Sequence, residues 1–133
     1  MIFEDIETGQ ALPALVFPVT ASAIVAGALA TNDYENVHHD KAAAQATGVP
    51  DIFMNILTTN GLVQRFVTDW AGPGVRIRRI AIRLGAPNLA GDVMTLSGEV
   101  AEIDPSERTV LVKVSGRNSI GEHVTSNLTI AFT

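Results

Sequence analysis

The chain has 133 residues, 47% of them hydrophobic and 17% charged, a formal net charge of −5 and no cysteine. That length suits one domain, residues 1–133, with a core of its own. The acidic balance and the lack of any Lys/Arg run exclude a nucleic-acid surface; the absent cysteines exclude disulfides, thiolate catalysis and the common structural zinc sites; and no apolar run approaches the roughly 18 residues of a membrane span.

Taken in chain order, Met1 to Ile6 carries acids where a secretory signal would be basic and then apolar, so the expected location is the cytoplasm. Leu15 to Val19 is a short β-like run. Thr20 then stands as an N-cap before Ala21 to Ala30, an alanine-rich stretch that favours helix and ends near Asn32 and Asp33. Tyr34 to Asp40 is polar and aperiodic. Asp40 can cap a short helix from Lys41 through Ala46, closed by Gly48. Between Leu57 and Trp70 the apolar residues Leu62, Val63, Phe66, Val67 and Trp70 fall on one helical face, with Gln64, Arg65 and Asp69 opposite. Gly61 lies inside this helix at a cost of about 1 kcal/mol relative to Ala, which predicts that another backbone passes close by.

The grammar changes at Gly72-Pro73-Gly74. Beyond it, Val75 to Leu84, Asp92 to Ile103, Arg108 to Arg117 and Glu122 to Phe132 alternate with period two, as strands do. The turn sequences Asp104-Pro105-Ser106-Glu107 and Asn118-Ser119-Ile120-Gly121 predict antiparallel pairing of the last three strands as a meander. The alternation slips at Arg78-Arg79, where a bulge or a change of face is expected. One long buried helix followed by an antiparallel sheet that wraps it is α+β architecture with a single helix on one face. The arrangement is that of a single hot dog fold, which the loop between the helices, not composition, separates from other α+β sheets.

The chemistry is concentrated in Asp33-Tyr34-Glu35-Asn36-Val37-His38-His39-Asp40, where a carboxylate and an imidazole stand five residues apart in a non-helical stretch. In such a loop the two can converge on one substrate atom. Alone, either would more often be a solvated cap or a loop residue, but together they suit addition of water to an α,β-unsaturated thioester. Water must lose a proton as it attacks the β-carbon, and a proton must reach the α-carbon; a carboxylate and a neutral imidazole can share those tasks near pH 7. Charge on the thioester oxygen would fall to a backbone N–H at the start of the long helix, near Asn55 and Ile56. For Asn55 the plainer alternative is a cap amide. His39 and Asp40 lack a third ligand at sensible spacing, so no metal is expected.

The loop resembles the signature of the MaoC-like (R-specific) enoyl-CoA hydratases, Gly-Asp-x-Asn-Pro-[Leu/Ile/Val]-His-x-Asp. Asp33 matches the catalytic Asp, Val37 the aliphatic position, His38 the catalytic His and Asp40 the later acid. Asn32, Glu35 and Asn36 replace Gly, Asn and Pro, and Asn55-Ile56 stands where the family tends to carry His-Gly. Val37-His38-His39-Asp40 and Thr68-Asp69-Trp70-Ala71-Gly72-Pro73 are further similar to the short MaoC-like subunits of actinobacterial steroid side-chain hydratases. This resemblance implies a heteromer of two chains of each kind, in which the short chain brings the Asp/His pair and a longer MaoC-like chain, often with a DUF35 domain, completes the site. It implies a substrate that is the CoA thioester of a degraded sterol side chain, with no cofactor besides the CoA of the substrate itself.

Two other functions compete. A hot dog thioesterase would want a carboxylate on the long helix to direct water at the thioester carbonyl; Leu57 to Thr68 has none, and Asp69 comes late. A non-catalytic structural subunit would have no need of Asp33 and His38 at working spacing. Arg76, Arg78, Arg79 and Arg83 could meet CoA phosphates, but a solvated strand face explains them more simply.

Overall fold

The computed structural model describes residues 1–133. Strand β1 (Leu15–Val19) leads into helix α1 (Ala21–Ala30), a short helix α2 (Lys41–Ala46) and the long helix α3 (Ile56–Ala71), after which come β2 (Val75–Leu84), β3 (Asp92–Asp104), β4 (Thr109–Arg117) and β5 (Glu122–Phe132). All five strands form one antiparallel sheet in the order β1-β3-β4-β5-β2. The expected meander is β3-β4-β5, and β1 and β2 close its two sides. This is the α+β hot dog arrangement, the sheet wrapped on α3.

The helix starts follow from capping chemistry. Thr20 Oγ1 accepts from the Ala23 N–H, Asp40 Oδ1 from Ala43 and Asn55 Oδ1 from Thr58, so each helix begins with a side-chain oxygen on an otherwise orphan donor. Helix α3 buries Leu62, Val63, Phe66 and Val67 against Met94, Leu96, Val100, Val110, Val112, Leu128 and Ile130 from the sheet. Trp70 packs half-buried at the margin of this core.

The slip in alternation at Arg78 is a bulge: Ile77 pairs with Ile130 and Arg79 with Thr129, leaving Arg78 unmatched. Arg76, Arg78, Arg79 and Arg83 are all exposed and enter no ion pair. One expectation fails. Nothing lies within 4 Å of where a Cβ on Gly61 would sit, so no backbone passes there; the residue is exposed. The close approaches belong to four other glycines, Gly27 against Thr58, Gly85 against the Glu122 carbonyl, Gly98 against Phe66 and the Lys113 carbonyl, and Gly116 against Val124 and Leu96. Gly27 thus lets α1 lie directly on the first turn of α3.

Candidate active site

Helix α1 ends in a Schellman turn that aims Asp33. The Asn32 N–H donates to the Leu29 carbonyl and the Asp33 N–H to the Ala28 carbonyl, with Asn32 in the left-handed region at φ 58°. Asn tolerates that conformation better than other side chains, which explains how it stands where the hydratase signature has glycine. A single turn of 3₁₀ helix over Asn36–His38 then returns the chain and buries His38.

The His38 ring is fixed from behind. Its Nδ1 lies 2.6 Å from the Phe53 carbonyl oxygen, and because a carbonyl only accepts, Nδ1 carries the proton. The Phe53 ring meets the imidazole edge-on, centroids 5.2 Å apart. In the neutral imidazole, Nε2 is therefore bare, and it lies 3.3 Å from Asp33 Oδ2. The sequence-expected pair is brought together with the lone pair of one group beside the carboxylate of the other.

Asp33 is held ionised. The Asn55 amide donates to Oδ2 at 2.9 Å and the Glu35 N–H to Oδ1 at 3.2 Å; these bonds, opposed by partial desolvation, hold its carboxyl below the usual Asp range. Asn55 is buried and serves as the N-cap of α3, so its side chain faces Asp33 and the helix interior rather than solvent. Ile56 is the first residue of α3. Neither its N–H nor that of Leu57 is taken by another group of the chain, which leaves two amide donors at the positive end of a helix of 16 residues. Leu29 at the end of α1, Tyr34 beside Asp33, and Ile56 and Leu57 at the start of α3 are 56%, 64%, 51% and 47% exposed, an apolar rim to this end of the helix.

Sequence reasoning missed three participants: the Phe53 carbonyl, Thr31 and Thr58. Thr31 and Thr58 both hydrogen-bond to Asn55, and neither carries a signal beyond its place beside a helix end. His39 and Asp40 do not join the pair. No three His, Asp or Glu side chains come together in a way that could hold a metal ion.

The MaoC like domain pattern matches residues 6–120. The 3-oxo-4,17-pregnadiene-20-carboxyl-CoA hydratase beta subunit of Mycobacterium tuberculosis (strain ATCC 25618 / H37Rv) is 49% identical over 123 residues, 92% of this chain and 94% of that one. Among solved structures, the ChsH1-ChsH2 complex from Mycobacterium tuberculosis contains a chain that superposes with a TM-score of 0.92 at 47% identity, covering 96% of this chain and 98% of that one. The (R)-hydratase from A. caviae involved in PHA biosynthesis shares the fold, with a TM-score of 0.90 at 19% identity over 98% and 99% of the two chains.

Proposed function

The chain belongs to the MaoC-like domain family, and on that footing we propose that it is the catalytic subunit of an enoyl-CoA hydratase, adding water across the α,β double bond of an acyl-CoA thioester. The observation that carries this reading is the approach of His38 Nε2 to Asp33 Oδ2 at 3.3 Å, each group held by its own hydrogen bonds. A water resting on the pair donates one O–H to Nε2 and the other to Oδ2. As its oxygen bonds to the β-carbon, the π electrons move toward the thioester oxygen and His38 Nε2 takes the proton. The imidazolium then returns that proton to the α-carbon as the enolate collapses. Asp33 stays ionised throughout, orienting the water and offsetting the imidazolium charge, because its lowered basicity makes it the poorer proton acceptor. The free Ile56 N–H at the head of α3 is the donor assigned to the developing oxyanion. No step calls for a metal or a further cofactor.

The substrate class follows from the 49% identical relative, named for a pregnadiene-carboxyl-CoA, and the apolar rim suits the same bulky, apolar acyl group. We assign this chain a steroid side-chain enoyl-CoA in sterol breakdown. We assign it to a heteromer with a longer MaoC-like chain, two of each; the occurrence of a similar chain in the ChsH1-ChsH2 complex supports a partner subunit. It is also supported by β2, ten residues long, whose outer edge has no partner strand in this chain. The absence of cysteine fits the reducing cytoplasm, and no helix is long and apolar enough to cross a membrane. The thioesterase reading loses ground, since Asp69, the one carboxylate on α3, is exposed at the far end and paired with Arg65.

The test is coexpression with the longer MaoC-like chain and assay on a steroid side-chain enoyl-CoA and on a short-chain enoyl-CoA. The complex is expected to hydrate the steroid thioester and the isolated chain to do so poorly. Release of free CoA thiol without hydration would overturn the reaction assigned, and full steroid turnover by the pure homo-oligomer would overturn the heteromer.

A further inference from the structure

Building on the hydratase reading above, we propose that Asn55 is the positioning residue of the reaction: its amide fixes the catalytic carboxylate of Asp33 in place while the same side chain caps α3. The side chain is 2% exposed and every hydrogen-bonding site on it is used. Oδ1 accepts from the Thr58 N–H at 3.0 Å and from the Thr58 hydroxyl at 2.5 Å, while Nδ2 donates to Thr31 Oγ1 and to Asp33 Oδ2, both at 2.9 Å. The orientation of the amide is dictated by these partners. Turned over, it would set an NH₂ against the Thr58 N–H and an oxygen against the carboxylate. Thr31 is committed as well: its hydroxyl donates to the Gly27 and Ala28 carbonyls at 2.8 and 3.1 Å, leaving a lone pair for Asn55.

Thus the C-terminus of α1, the N-terminus of α3 and the catalytic carboxylate meet on one amide. The choice of residue is informative. Ser, Thr, Asp and Asn all cap helices well, and Asp adds a favourable charge at the positive end of the helix. Of these, Asp has no donor, and Ser and Thr carry a single O–H on the capping oxygen itself; only Asn offers an acceptor to the helix and, from a separate atom on the opposite side, two donors, one of which reaches the carboxylate. If capping were its whole task, Asp would serve as well or better. Aspartate here would instead set a second carboxylate against Asp33, and the two would share a proton at neutral pH.

The experiment uses the assembled heteromer and compares Asn55→Asp, Asn55→Ser and Asp33→Asn. Both Asn55 variants keep a capping oxygen and are expected to assemble, with a lowered melting temperature because partners of the buried amide are left unpaired. Each is expected to lower kcat at least about tenfold with KM little changed, the scale of a misplaced catalytic group. In Asn55→Asp the acid limb of the pH–rate profile is also expected to move upward by about one unit or more, because the shared proton must leave first. Wild-type kcat and an unmoved acid limb in Asn55→Asp would overturn the positioning role, and wild-type kcat in Asn55→Ser would do so even if Asn55→Asp failed to fold. Full activity in Asp33→Asn would overturn the hydratase site itself, so the two failures are distinguishable.

Discussion

Two buried histidines in this chain are held alike at one nitrogen and differ at the other. His38, at the mouth between α1 and α3, has Nδ1 at 2.6 Å from the Phe53 carbonyl; His123, at the start of β5, has Nδ1 at 2.7 Å from the Ala86 carbonyl. Both rings are thereby set in the same tautomer. At Nε2 the paths separate. For His38 the neighbour is the Asp33 carboxylate, whose Oδ2 already accepts from the Asn55 amide and has no proton to give a neutral ring, so Nε2 is satisfied only by a third party such as water. For His123 it is the Thr59 hydroxyl at 2.8 Å, which donates to Nε2 and leaves no valence open. The bulge on β5 is responsible: Gly116 pairs with Val124 and Arg117 with Glu122, so His123 is the extra residue and turns inward beside Val124. The two buried histidines thus differ in what the second nitrogen meets, not in burial or tautomer.

The sharpest way to break this comparison is to delete each ring. His38→Ala, like Asp33→Asn, is expected to lower hydration by about two orders of magnitude or more in a folded complex, as for a lost general acid/base. The double variant should lose far less than the product of the two, because both groups handle one water. His123→Ala, by contrast, should leave kcat of the folded complex within a few-fold of wild type. A His38→Ala complex that hydrates at the wild-type rate would end the distinction.

His123 should declare itself in stability instead. Its removal opens a cavity and strips partners from Thr59 and the Ala86 carbonyl, with an expected loss of about 2–4 kcal/mol by denaturant unfolding. The site also carries a pH signature. Burial pushes the His123 pKa below its ordinary 6.5, so the unfolded chain takes up the proton first. The stabilisation from keeping the ring neutral is therefore whole above about pH 6.5 and is lost as pH falls toward the folded value. His123→Ala should flatten that part of the acid slope; an unchanged slope would mean that another group sets it.

The smallest expected effect concerns the turn that delivers Asp33. Asn32→Ala places an ordinary side chain at φ 58° and should cost about 1 kcal/mol, whereas Asn32→Gly should change stability by only a few tenths. Equal stability of the two variants would show that the left-handed residue is not what secures the loop.

The amino-acid sequence by itself determined the elements and the composition of the pair. The caps at Thr20 and Asp40, the helical face from Leu62 to Trp70, the alternation of the strands and the slip at Arg78 are local signals, written in residues a few positions apart, where backbone propensity and side-chain period act directly. The spacing of Asp33 and His38 belongs to the same class, since one turn of loop suffices to let them converge. What only the tertiary structure decided are contacts between distant segments: the Phe53 carbonyl that fixes the His38 tautomer, the Asn55 amide that holds Asp33, and Thr59 closing the second nitrogen of His123. The glycines teach the same point. Gly61 and Gly27 both interrupt helices and look alike in the sequence, yet Gly61 faces open space while Gly27 lies against Thr58. A helix period says which residues share a face; which neighbour that face meets, and how closely, is settled only when the sheet presses α3 against α1 and the packed core leaves one arrangement without a clash.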